Sequence, residues 1–203
     1  MKYIDSHCHM NFAVYEDDLA SVLQDTKQKE VAVINIGTQA DTSAKAVALA
    51  DQYEHVWAIV GLHPIHTTSS FHDHDELGEQ GREFTSRGEV FDVDYYRNLA
   101  ASKKVVGIGE CGLDYYRNTP ETNEVQEKAF RLQIELALQL DLPLMLHVRP
   151  SEGSYDAYYD VLSILEEYKK NHSSLRGQAH FFAGDQAIAQ RFIDLGFYIS
   201  FTG

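Results

Sequence analysis

The sequence predicts an α/β fold of the (β/α)8 TIM-barrel type, with about seven of the eight strands present in this chain of 203 residues. Three observations carry that expectation. Apolar, β-branched runs alternate with segments of helical period along the whole chain. Runs such as VAVINIG and VWAIVGL are apolar at nearly every position, as strands of a parallel sheet are when both faces are buried. Polar residues stand at the C-terminal ends of many strands, where barrel enzymes keep their chemistry. An open dinucleotide-binding sheet would need G-x-G-x-x-G after its first strand, and SHCHMNF stands there instead.

In chain order the strand candidates are Tyr3–His9, Val31–Gly37, Val56–His63, Val105–Gly109, Pro143–Val148, Gln178–Phe182 and Phe197–Phe201. The clearest helix is Pro120–Leu140. Phe130, Ile134, Ala137 and Leu138 give it a buried face, Thr119-Pro120 starts it, and Asp141–Pro143 stops it. Tyr158, Val161, Leu162, Leu165 and Tyr168 mark a second helix. Ile188, Phe192 and Leu195 mark a third, closed by Gly196. Asp92 caps a helix running to Ala101, and Ile65–Glu89 is too polar for a core, so it reads as an extended loop insertion. Residues 1–203 read as one hydrolase barrel domain lacking the last βα unit. Its first and seventh strands are unpaired at their outer edges.

Composition narrows the function. No apolar run approaches the roughly 20 residues of a membrane span, and no basic-then-apolar N-terminus signals secretion. The two cysteines, Cys8 and Cys111, form no spaced framework, so reduced thiols in the cytoplasm are expected, with no disulfide. Acids outnumber bases 31 to 17, a net charge of −14, and no Lys/Arg-rich run exists. Nucleic-acid binders usually draw affinity from a basic surface. A phosphate-handling function here therefore needs bound cations to reverse the local sign.

The chain starts MKYIDSHCHM. Residues two apart in a strand share a face, so His7 and His9 point together and Cys8 points away. His63, Glu110, His147 and His180 follow at the ends of the third, fourth, fifth and sixth strands. One histidine alone is usually a hydrogen-bonded structural residue, but six ligand-type side chains at corresponding strand ends are not expected by chance. Imidazole with carboxylate suits Zn²⁺, Mn²⁺ or Co²⁺, and carboxylate-bridged pairs also take Mg²⁺. Five good ligands exceed the needs of one catalytic ion, so two divalent metal ions sharing Glu110 are expected, an arrangement built for hydrolysis.

DSHCHMNF, GIGECGLDYYR, LPLMLHVR, AHFFAG and GFYISFTG resemble, in order and spacing, the TatD family of metal-dependent deoxyribonucleases among the amidohydrolase-like barrels. The resemblance covers nearly the whole chain. It implies that His7, His9 and Glu110 bind one metal, and that Glu110 bridges to a second held by His147 and His180. No lysine stands at the Glu110 position, unlike phosphotriesterase- or urease-like sites. His63 and Arg149 match positions that contact substrate phosphate or support the ligands, and Asp114 looks like a residue that orients a ligand. The family's general-base Asp lies in an L-E-T-D motif that does not occur in this sequence. HDHD at His72–Asp75 reads as a solvated loop tip, and Tyr155, Tyr158 and Tyr159 as packing at a helix start.

The resemblance implies a cytoplasmic 3′-5′ exonuclease-like DNase acting on DNA ends or single strands, with no membrane association and no obligate protein partner. A second reading keeps the metals and changes the substrate to an ester or amide, as in a D-aminoacyl-tRNA deacylase. A third, from another class, is an inactive fragment that only binds metal or self-associates.

Overall fold

A computed structural model of the chain describes residues 1–72, 83–117 and 119–201. Its main sheet is parallel and seven-stranded, in the order β1 (Tyr3–Cys8), β2 (Val31–Ile36), β3 (Val56–Val60), β6 (Val105–Asp114), β7 (Leu144–Arg149), β8 (Gly177–Ala179), β9 (Phe197–Ile199). The helices α1 (Leu19–Gln28), α2 (Ala40–Gln52), α3 (Val93–Leu99), α4 (Pro120–Leu140), α5 (Asp156–Lys169) and α6 (Gln186–Asp194) alternate with them. β1 and β8 are not neighbours in the sheet, yet Gln178 Nε2 lies 3.4 Å from Ser6 Oγ. The sheet therefore curls until its first and sixth strands face each other across an interior, as a barrel wall does.

Two apolar layers follow from that curl. Ile36, Ile59 and Met145 form a small interior cluster. The larger one joins strands to helices and includes Val33, Val60, Leu113, Phe130, Ile134, Tyr158 and Phe192. The start and stop signals act as the sequence predicts. Thr119 accepts from the Thr122 amide with Pro120 in the first turn, and Asp141 ends α4 at φ 53°. Asp92 and Asp185 cap α3 and α6.

The strands mostly end one to three residues before their predicted limits, as β3 does at Val60 rather than His63, and two depart for a reason visible in the backbone. β6 continues past Gly109 to Asp114, because it carries an extra residue: Ile108 pairs with Leu144, whereas Cys111 pairs with Leu146. Such a bulge re-aims side chains without ending the pairing. β8 stops at Ala179 because Phe181 is left-handed, at φ 47°. Within the segment expected as a loop, Pro64–His66 form a 3-10 turn, and β4 (Phe71–His72) pairs antiparallel with β5 (Phe84–Thr85). Glu89 ties this segment to the α2 N-terminus by accepting from the Ala40 amide. The rest of HDHD lies outside the described residues.

β1 and β9 form the outer edges of the sheet, with Tyr3, Ile4 and Tyr198 exposed. Cys8 and Cys111 are free thiols, and burial pushes the Cys8 thiol up to about 12. Tyr158 is core, as expected, whereas Tyr155 and Tyr159 are exposed. Among the described residues no helix is long and apolar enough to cross a membrane.

Candidate metal centre

The carboxylate of Glu110 is buried at the centre of five histidines. Its strand explains how it reaches there. In the stretch G-E-C-G, Gly109 and Gly112 have φ of +149° and +137°, and a Cβ on Gly112 would sit 2.1 Å from the His147 carbonyl oxygen. Only glycine lets the bulged strand lie this close to β7. Glu110 and His147 are thereby turned toward each other.

The two carboxylate oxygens face different groups. Oε2 lies 3.4 Å from His7 Nε2 and 3.5 Å from His9 Nε2, and those two nitrogens are 3.2 Å apart. Oε1 lies 2.6 Å from His180 Nε2, 3.1 Å from His147 Nδ1 and 3.4 Å from His63 Nε2. Two imidazole nitrogens facing each other need a proton or a cation between them. The spacings of the first group match the edge of a tetrahedron with bonds of 2.0–2.1 Å, about 3.3 Å. His7, His9 and Glu110 could hold one ion, and Glu110 with His63 and His147 another.

Partners outside the cluster fix the rings. His9 Nδ1 lies 3.1 Å from the Ile36 carbonyl, and the Phe12 ring stacks on His9 at 4.6 Å. His7 is held by stacking on His180 at 3.8 Å, since its Nδ1 is buried with no hydrogen-bond partner among the described residues. Asp5 accepts from the His7 amide at 3.1 Å. Asp114 Oδ2 lies 2.8 Å from His147 Nε2, and its Oδ1 accepts from the Tyr116 amide. That bond holds a proton on Nε2, so that the proton lost when the ring becomes neutral is the one on Nδ1, whose lone pair then faces Glu110.

The electrostatics suit a cation. Burial pushes the pKa values of His9 and His180 down, and burial plus the neighbouring His147 takes His63 to about 4. Burial opposes ionisation of Glu110, but His180 and His63 together with hydrogen bonds from His147 and His180 outweigh it. Its pKa falls well below the usual carboxylate range. Neutral imidazoles around an ionised carboxylate are the states metal binding requires. His147 differs. Burial disfavours its charge, but its bonds to Asp114 and Glu110 prevail and raise its pKa to about 9. A metal must displace that proton.

The structure thus brings His7, His9, Glu110, His147 and His180 together with Asp114 behind them. His63 lies inside the cluster rather than at its rim. Arg149 shares a strand face with His147 two residues earlier, and its guanidinium carbon lies over the Tyr116 ring, 3.8 Å from the centroid. Sequence reasoning missed Gln126 and Gln133. Gln126 pairs with both the amide and the carbonyl of Asp114, and Gln133 does the same for Leu62. These side chains pin two site strands to α4. The available signal was two glutamines on the helix stripe that also carries Phe130, Ile134 and Ala137.

A profile of the TatD-related DNase family matches residues 4–203. The chain belongs to that family. YabD of Bacillus subtilis, named an uncharacterized metal-dependent hydrolase, is 30% identical over 200 residues, covering 98% of this chain and 68% of YabD. The 3′-5′ ssDNA/RNA exonuclease TatD of Salmonella typhimurium is 34% identical over 168 residues, covering 82% of this chain and 54% of that protein. The crystal structure of YjjV, a TatD homologue from Escherichia coli, superposes with a TM-score of 0.72 at 28% identity. It covers 97% of this chain and 66% of YjjV. The chain spans about two thirds of the length of relatives it matches end to end.

Proposed function

We propose that this TatD-family chain carries the metal centre of a phosphodiesterase that releases nucleotides from DNA ends, in the manner of a 3′-5′ exonuclease on single strands. One observation carries the reading: the two oxygens of Glu110 address two separate histidine groups, the arrangement expected of a carboxylate bridging two cations. His7 and His9 would hold the first cation with Glu110, and His147 and His180 the second. His63, 3.4 Å from Oε1, supports the second group. Divalent cations bound there would supply an activated water and would offset charge on the phosphate oxygens. Asp114 keeps a proton on His147 Nε2, so that Nδ1 would present its lone pair once a cation displaced the second proton. Arg149, over the Tyr116 ring, would meet substrate phosphate and give a protein of net charge −14 a cationic contact there. The excess of acids and the lack of a Lys/Arg-rich run favour contact with a strand end over a long duplex. Water adds to phosphorus and the sugar oxygen leaves, yielding a phosphomonoester and an alcohol.

The test is nucleotide release from a 3′-labelled single strand by the full-length protein with Mg²⁺ or Mn²⁺, run beside an aminoacyl-ester substrate. Cation-dependent release that is lost with chelator and in Glu110→Gln supports the reading. Ester turnover without phosphodiester turnover would replace it with the deacylase alternative. Binding of metal without turnover of either substrate would replace it with a non-catalytic role.

A further inference from the structure

Phe181 directly follows His180, and its backbone is left-handed at φ 47°. In an extended strand His180 and Phe182 would point to the same face. Here His180 reaches inward to Glu110, while Phe182 is buried in the helical layer, edge-on to Tyr158 at 5.4 Å and Phe192 at 6.3 Å. The left-handed residue makes that switch. Its flanks are tied by His180 N to the Leu146 carbonyl, Phe182 N to the Ser200 carbonyl, and Ala183 N to the Tyr158 hydroxyl.

Glycine makes such a turn without cost, and asparagine or aspartate at little cost, whereas a bulky side chain is penalised there. The other non-glycine residues of positive φ among those described are Glu30 and Asp141, both polar and in turns. Phe181 gains little packing for its strain, since it is 60% exposed. A scattered exposed phenylalanine is ordinary on a protein surface. One kept where the backbone disfavours it is not. The position supplies proximity: its Cα is about 3.8 Å from that of a cluster histidine, at the strand ends where barrel enzymes receive substrate. Tyr116, the aromatic beyond β6, already carries Arg149 on its ring.

We propose that Phe181 is a substrate-binding platform whose ring stacks on the base of the terminal nucleotide while its phosphodiester lies at the Glu110 centre. The proposal rests on the nuclease reading above. Base stacking on an aromatic side chain tolerates any base and needs no basic surface. A chain rich in acids can thereby hold a strand end.

The experiment compares the wild-type full-length protein with Phe181→Gly and Phe181→Tyr. The ligands are phosphorothioate-protected single strands ending in 2-aminopurine or in an abasic sugar. Glycine suits the left-handed backbone, so that variant keeps its fold. Wild type should quench the 2-aminopurine and bind it about 5- to 100-fold more tightly than the abasic strand. Phe181→Gly should bind both alike, with the quench gone, and Phe181→Tyr should retain the preference. A Phe181→Gly protein that still quenches and still discriminates would overturn the platform while leaving the nuclease reading intact. Wild type that neither binds nor cleaves any strand would overturn both, and that outcome is visible before any variant is made.

Discussion

Asp114→Asn exchanges one oxygen for one nitrogen and leaves the fold's contacts nearly unchanged. The Asn carbonyl can still accept from the Tyr116 amide, the bond that Asp114 Oδ1 makes at 3.1 Å. The new amide nitrogen would face His147 Nε2, to which Asp114 Oδ2 is 2.8 Å away in the native chain. Two donors cannot share that contact, so the proton that the neutral ring keeps must sit on Nδ1, the nitrogen 3.1 Å from Glu110. The lone pair offered to the Glu110 cluster is then lost, and so is the carboxylate that raises the basicity of His147. Removing such an orienting partner typically costs 10- to 100-fold in metal affinity, about 1.4–2.7 kcal/mol. Calorimetric titration of Mn²⁺ into the chelator-stripped protein should show that loss in one of two binding events and spare the other, because His7 and His9 do not touch Asp114. An unchanged isotherm would refute this account of how His147 is oriented. Equal weakening of both events would refute the separation of the two histidine groups.

Two further outcomes follow from the same geometry. Gly112→Ala should cost at least about 2 kcal/mol, read as a lower urea midpoint, because the methyl would meet the His147 carbonyl at 2.1 Å and φ is +137°. Gly153→Ala, with no neighbour within 4 Å of its Cβ although φ is +72°, should cost about 1 kcal/mol, and equal losses would count against the crowding argument. In the metal-free protein, the pKa of His147 is raised from 6.5 to about 9 by Asp114 and Glu110 against the opposing effect of burial. A raised folded-state pKa contributes stability that is complete below about pH 6.5 and is lost as pH rises through about 9. The lowered values of His9, His63 and His180 act only as pH falls below that window. The urea midpoint should therefore fall between about pH 6.5 and 9, and a flat profile there would show that His147 is not held protonated.

Much of the arrangement is legible in residue type and spacing. Apolar runs alternating with helical stripes dictate a parallel sheet wrapped by helices, since each element must bury an apolar face. His7 and His9 could be placed on one face because strand periodicity is local. Glu110 could be singled out because it is a ligand-type residue at a strand end, in line with histidines at the ends of other strands. Thr119-Pro120 and Asp92 declared their helix starts for the same reason: capping depends on neighbours in sequence.

The rest depended on contacts between segments far apart in the chain. That each oxygen of Glu110 faces its own histidine group follows from the β6 bulge and from its register against β7, neither of which periodicity reveals. His63 lies within the cluster rather than at its rim because the sheet curls, which no single strand encodes. Gln126 and Gln133 look like surface glutamines until the strand ends that they clamp are in place. The left-handed turn at Phe181 arises because His180 must face the interior while Phe182 packs against Tyr158 and Phe192, a conflict that exists only once both layers are assembled. Sequence by itself determined which residue types stand at the strand ends. Tertiary structure decided which atoms they turn toward one another, because side-chain direction is set by register, curl and packing.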